Sequence, residues 1–171
     1  MGVLGNRDLY LYNCLKKINE EKPIDLSTLD KRVEFQKKVY LLKSLGLSLN
    51  YKYGSYIKGP YSSSLAEVGF NIYESPKDSI PENLDEIVPI GDEIEKINLV
   101  KRLIDNLPRQ ENESYWLELI SSLHFLRVNA YPPVRTWENA KSRLERWKPD
   151  KFSEINVEKA ITLIEEYKLL E

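Results

Sequence analysis

One stretch constrains this fold more than any other. In residues 113–129, Trp116, Leu117, Leu119, Ile120, Leu123, Phe125, Leu126 and Val128 nearly encircle a helix. A surface helix carries a single apolar stripe, and a helix apolar on most sides belongs in the interior. The other elements must therefore wrap around it. At 171 residues the chain can do this as one unit. A domain of that size buries roughly two-thirds of its unfolded surface and needs no disulfide or metal to hold it.

The flanking segments supply the wrapping. Residues 7–21 read as a first helix, ended by Pro23. Ser27 with Asp30 forms a capping-box pattern for a second helix running to about Leu45, with Gly46 placed to stop it. Leu47, Leu49, Tyr51 and Tyr53 alternate, which predicts an extended strand or hairpin arm over 47–57. Gly59-Pro60 signals a turn, and Ser62 can cap a third helix over about 63–73. Pro76, Pro81, Pro89 and Gly91 mark 75–91 as a surface loop. Asp92 with Glu95 opens a fourth helix that ends at Leu107. Thr136 opens a sixth, with Trp137, Ala140, Leu144 and Trp147 on one face. The last runs from Ser153 to about Leu170, with Val157, Ile161, Ile164 and Tyr167 facing inward. The expected fold is mainly α, a compact orthogonal bundle of six or seven helices with a short extended arm or hairpin near 47–57. A single helical domain spans 1–171, because neither side of the Pro-rich loop 75–91 looks able to bury a core alone.

Several function classes find no support. The one cysteine, Cys14, sits among Leu11, Leu15 and Ile18 and reads as a small core hydrophobe. No Cys/His spacing suits zinc, so no metal is expected. There is no Gly-rich phosphate loop, nucleophile elbow, HExxH or EF-hand loop, and so no cofactor or catalytic residue is assigned. The lone His124 shares a helix side with Leu117 and Val128 and reads as a neutral, hydrogen-bonded core residue; a general base would need a companion. Asp92-Glu93 and Glu165-Glu166 read as solvated charges. The start of the chain has no basic, then apolar, leader, and no run of about 18 apolar residues appears. The expectation is a cytoplasmic protein with no membrane partner. High Ile, Lys, Glu and Tyr with little Gln has a thermophilic cast.

Two segments are candidates for a working surface. On a helical wheel of the second helix, Leu29, Val33, Phe35, Val39, Tyr40 and Leu42 define an apolar arc. Arg32, Gln36 and Lys43 fall inside it, and Lys31, Glu34, Lys37 and Lys38 fall opposite. Polar groups on an inward face need hydrogen-bond partners. Either Arg32 and Gln36 bond to backbone groups of the following loop and hold it, or they read a ligand. In the segment Tyr56-Ile57-Lys58-Gly59-Pro60-Tyr61-Ser62, Gly59 allows a positive φ and Pro60 stiffens the turn. Its tyrosines either plug the core or face a partner. The candidate interaction residues are therefore Arg32, Gln36, Lys37, Tyr40, Tyr56, Lys58, Gly59, Pro60, Tyr61 and Ser62.

Charge is unevenly distributed. The net charge is −2, yet residues 1–61 hold 11 Lys/Arg against 6 Asp/Glu, and residues 62–113 hold 5 against 12. An anionic partner would meet the N-terminal third. The basic and aromatic surface of residues 31–61 also admits a second reading, nucleic acid held by Lys37, Lys38, Lys52 and Lys58.

Phe35-Gln36-Lys37-Lys38-Val39-Tyr40-Leu41-Leu42 and Tyr56 through Ala66 together resemble the YwgA-like family of prokaryotic proteins. Their QK-x-x-YLL and Y-x-x-GPYS-x-x-LA patterns are similar to the wider Panacea superfamily of SocA-like antitoxin domains. Trp116-Leu117-Glu118-Leu119 and Lys148-Pro149-x-x-Phe152 fit the YwgA-like pattern too. That resemblance covers most of the chain, and the Panacea likeness covers residues 35–66. It implies a protein-neutralising or adaptor module without catalytic residues. The functional expectation is a non-enzymatic protein-interaction module, antitoxin-like or adaptor, that binds a protein partner. The alternative is a nucleic-acid-binding regulator.

Overall fold

The computed structural model describes residues 5–76 and 87–171. Its seven helices are α1 (Asn6–Ile18), α2 (Leu29–Ser44), α3 (Ser63–Glu74), α4 (Asp92–Asp105), α5 (Glu113–Val128), α6 (Trp137–Trp147) and α7 (Glu154–Glu166). Two short strands, β1 (Gly54–Tyr56) and β2 (Gly59–Tyr61), form an antiparallel hairpin between α2 and α3. The fold is mainly α, as expected.

The encircled helix is α5, and it is central. Every residue from Trp116 to Leu126 is buried. It packs against α2, α6, α7 and β2. Each large apolar side chain buried there stabilises the fold by about 1.5–3 kcal/mol. This is why a helix with no polar stripe forms in water at all.

Side-chain caps start most of the helices, α5 included. Ser62, Asn112, Thr136 and Ser153 each accept a backbone N–H from their own first turn. Two cap expectations are corrected. Thr28, not Ser27, caps α2 by accepting from Lys31 N at 3.2 Å, while Ser27 N bonds Asp25 Oδ1. At α4 the N-cap is Gly91, and Asp92 is already helical. α3 lies close against α2: a Cβ at Gly69 would sit 2.6 Å from the Phe35 ring.

The extended arm is shorter than expected. Leu47, Leu49 and Tyr51 are buried and Ser48, Asn50 and Lys52 exposed, so the alternation is real. No strand forms there, because the backbone bonds to itself: Leu49 N donates to Leu47 O and Tyr51 N to Leu49 O. Ladder pairing begins only at Gly54, opposite Tyr61. The Pro-rich loop also differs. Residues 77–86, including Pro81, lie outside the described residues, and Ile87 is core, its carbonyl accepting from Asn13 Nδ2 at 3.0 Å.

Candidate functional site

The hairpin is a surface prong on a buried polar base. Its register pairs Tyr56 with Gly59, leaving Ile57 and Lys58 at the tip. The left-handed step falls on Gly59, at φ +100°. A side chain there would be strained, and its Cβ would come within 2.8 Å of Ser122 Oγ.

Four polar side chains build the base. Gln36 makes a two-bond clip, its Nε2 donating to Ser62 O at 2.9 Å and its Oε1 accepting from Ser62 N at 3.0 Å. Lys37 Nζ donates to Pro60 O at 2.7 Å. Lys148 Nζ donates to Ile57 O. Glu118 supplies the counter-charge: its Oε2 is 2.6 Å from Lys151 Nζ and 3.7 Å from Lys148 Nζ. Burial pushes the Lys37 ammonium down to about 7 and Lys148 to about 8, and Glu118 opposes the shift in both. Buried charges persist only with such partners.

Of the sequence candidates, Gln36, Lys37, Gly59, Pro60 and Ser62 come together in this base. The placement of Lys37 on the outer face of α2 is corrected: it is 1% exposed. Glu34, placed on the same face, is also buried. The helical wheel treats α2 as packed on one side. In fact α5 covers one face, and β2 and α4 cover others. Arg32 holds a loop as one reading anticipated, but the preceding one, through Leu26 O at 3.0 Å.

Glu118, Ser122, Lys148 and Lys151 were missed as site residues. A signal for Glu118 was present, because it is the one carboxylate in the apolar run of α5 from Trp116 to Leu126.

Tyr40 belongs to a separate network and does not reach the hairpin surface. It is 1% exposed. Asn129 Nδ2 donates to Tyr40 Oη at 2.9 Å, and Tyr40 Oη lies 2.8 Å from His124 Nδ1. His124 Nε2 is 2.8 Å from Leu169 O. A carbonyl only accepts, so the imidazole proton sits on Nε2 and Nδ1 accepts from the phenol. Burial lowers the His124 pKa, opposed by the Leu169 carbonyl, and keeps the ring neutral. His124 borders a cavity of about 410 Å³ with Lys43, Tyr53 and Asn129. Both ring nitrogens are spent inside the fold, so neither is poised to take a proton from an occupant of that cavity.

The exposed candidates gather around the tip. Ile57 is 85% and Tyr56 52% exposed, and the Tyr56 ring meets that of Tyr61 edge-on at 5.1 Å. On one flank a groove of about 310 Å³ opens between α2, α3 and β2, lined by Leu29, Arg32, Gln36, Lys58, Tyr61 and Phe70 among others. On the other flank, Tyr56, Ile57, Trp147 and Pro149 line a cleft of about 540 Å³. A larger depression of about 680 Å³ lies elsewhere, beside Lys31, Glu34, Lys38 and Glu113. Two ion pairs lie along it, Lys31 with Glu34 at 3.3 Å and Lys38 with Glu113 at 3.2 Å.

The basic set proposed for nucleic acid is thus partly spent, with Lys37 on Pro60 O and Lys38 on Glu113. Lys52 and Lys58 remain exposed. Among the described residues no group of three His, Cys, Asp or Glu is arranged to hold a metal ion. No described helix is long and apolar enough to cross a membrane. No protein-family model and no curated protein sequence matches the chain.

Proposed function

We propose that this chain is a non-enzymatic protein-interaction module, antitoxin-like or adaptor, of the YwgA-like and Panacea-like kind. Its working surface is the 56–61 hairpin with the adjoining face of α2. One observation carries the reading: an exposed Tyr56-Ile57-Lys58 tip sits on a base that is hydrogen-bonded through Gln36, Lys37 and Lys148. A solvent-facing Ile and Tyr contribute nothing to the core, yet the fold commits two buried lysines to holding them out. Aromatic anchors of this kind are common at interface centres. A prong already ordered in the free protein loses little entropy when it docks.

The test is a pull-down from native-host lysate, with and without nuclease, using the wild-type chain and Lys58→Glu and Tyr61→Ala variants. The expected result is a stoichiometric protein that survives nuclease and is weakened by both variants while far-UV helicity stays unchanged. Capture that disappears with nuclease overturns the reading in favour of nucleic acid. Loss of helicity in both variants would mean that the turn is structural.

A further inference from the structure

We infer that the groove between α2, α3 and β2 takes a short acidic peptide segment anchored by one or two large apolar side chains. The inference rests on the protein-interaction reading above and adds the chemistry of the partner.

The groove's charges are one-sided. Arg32, Lys37 and Lys58 line it, and no carboxylate does. Lys37 turns its ammonium to Pro60 O, which leaves Arg32 and Lys58 as the exposed cations at the rim. Of the acids nearest Arg32 in sequence, Glu34 pairs with Lys31, and Asp30 accepts from Ser114 Oγ at 2.9 Å rather than from the guanidinium. Among the described residues neither Arg32 nor Lys58 forms an ion pair, so an incoming carboxylate would meet two cations able to receive it.

The groove's apolar content sets the anchor. Leu29 is 57% and Phe70 36% exposed, and they stand on different helices facing the same space. A volume of about 310 Å³ is at the small end of ligand-pocket sizes, room for a few side chains rather than a folded domain. Main-chain atoms of an extended or helical segment can pass over such a groove while its anchors drop in.

The same observations disfavour a nucleic-acid strand. Stacking platforms need open aromatic faces. Here the Arg32 guanidinium stands over the Phe70 ring at 5.7 Å, and Tyr61 packs edge-on with Tyr56. Leu29 offers no π face at all.

The experiment selects a displayed library of random peptides, about 12 residues long to span a groove of this kind, on the folded chain. Affinities of the recovered peptides are then measured by fluorescence anisotropy, with an oligo-dT strand as a parallel probe. The expected pool is enriched in Asp and Glu next to Leu, Phe or Trp. Lys58→Glu, an exposed turn position that the fold does not need, should weaken binding about tenfold, and so should raising salt from about 50 to about 300 mM. Leu29→Asp should abolish it. A pool without acidic enrichment, binding indifferent to Lys58→Glu, or preference for oligo-dT each overturns the inference. The interaction-module reading fails separately. If the lysate partner is still lost on Tyr61→Ala but binds Leu29→Asp normally, that reading stands and the groove assignment falls.

Discussion

Two buried polar clusters flank α5, and they hold chain segments by opposite means. The hairpin base uses charge: Lys37 and Lys148 donate to the carbonyls of Pro60 and Ile57, with Glu118 as counter-ion. The second cluster uses none. Asn129, Tyr40 and His124 form a neutral relay ending on the carbonyl of Leu169. Both therefore solve one task, tying an irregular segment to the helical core by its backbone oxygens. The neutral relay is the cheaper solution, because it desolvates no ion. The ionic base carries that cost beneath a hairpin tip where Tyr56 and Ile57 are held out in solvent. A long lysine reaches a turn carbonyl from a neighbouring helix in one span, which a shorter neutral side chain such as Ser122 does not.

Removing the counter-ion should break this contrast most sharply. Glu118→Ala leaves Lys148 and Lys151 without their buried partner and Lys37 without its opposing charge. Stability in a denaturant titration should fall by about 3–5 kcal/mol, the range for unpairing a buried ion. A loss below about 1 kcal/mol would mean the base is not held by ionic contacts. Gly59→Ala comes next, at about 1–3 kcal/mol, from a left-handed backbone plus the approach to Ser122. Its damage should be confined to the hairpin, seen as faster amide exchange at residues 54–62 with α5 protection retained.

These effects also explain what the sequence makes legible. The encirclement of α5, the Ser62 cap, the helix starts at Thr136 and about Ser153 and the Gly59 turn follow from local pattern, and each is present in the structure. Lys37 on the outside of α2 does not survive, because a helical wheel sees periodicity and not the number of neighbours. A lysine four methylenes long can sit within a packed face if a carbonyl waits at its end. The residues that complete the base, Glu118 and Lys148, lie about 80 and 110 positions beyond Lys37. Such pairings are set by tertiary packing and leave no local spacing to read. The same reason hides the groove: Leu29 and Phe70 look like ordinary members of apolar helix faces until α2 and α3 are set side by side.

Breaking the neutral cluster should cost less. Tyr40→Phe removes the hydroxyl shared by Asn129 and His124 and leaves His124 Nδ1 without its donor. A loss of about 1–3 kcal/mol is expected for an orphaned buried acceptor. Amide exchange at residues 54–62 should not change, and exchange near the C-terminal turn at 167–170 should quicken. A change at the hairpin instead would show that the two clusters act as one unit.

The smallest effect, and the one that separates the clusters by chemistry, is the response to pH. Lys37 titrates at about 7 when folded and about 10.4 when unfolded. The groups facing it are Glu118, Lys148 and Lys151. Between those values the unfolded chain holds the proton that the folded chain has released, so stability rises with pH. His124 acts at a lower pH. Its folded pKa is depressed, so the unfolded chain takes up a proton first as pH falls through about 6.5, and stability is lost there. Above about 8.5 the opposite sign enters. Burial pushes the Cys14 thiol up to about 12, so the unfolded chain releases that proton first and stability starts to fall. Lys148, lowered to about 8, releases its proton in the same range and adds to the rise, so about pH 7 to 8.5 reads the two buried lysines together, with a slope of roughly 1–2 kcal/mol per pH unit. Lys37→Met should reduce that rise to the part Lys148 contributes and leave the loss below about pH 6.5 in place, whereas His124→Gln should remove that loss and leave the rise. An unchanged slope between pH 7 and 8.5 in Lys37→Met would mean that the ammonium buried under Pro60 does not govern the rise, and the ionic account of the hairpin base would fail on its own terms.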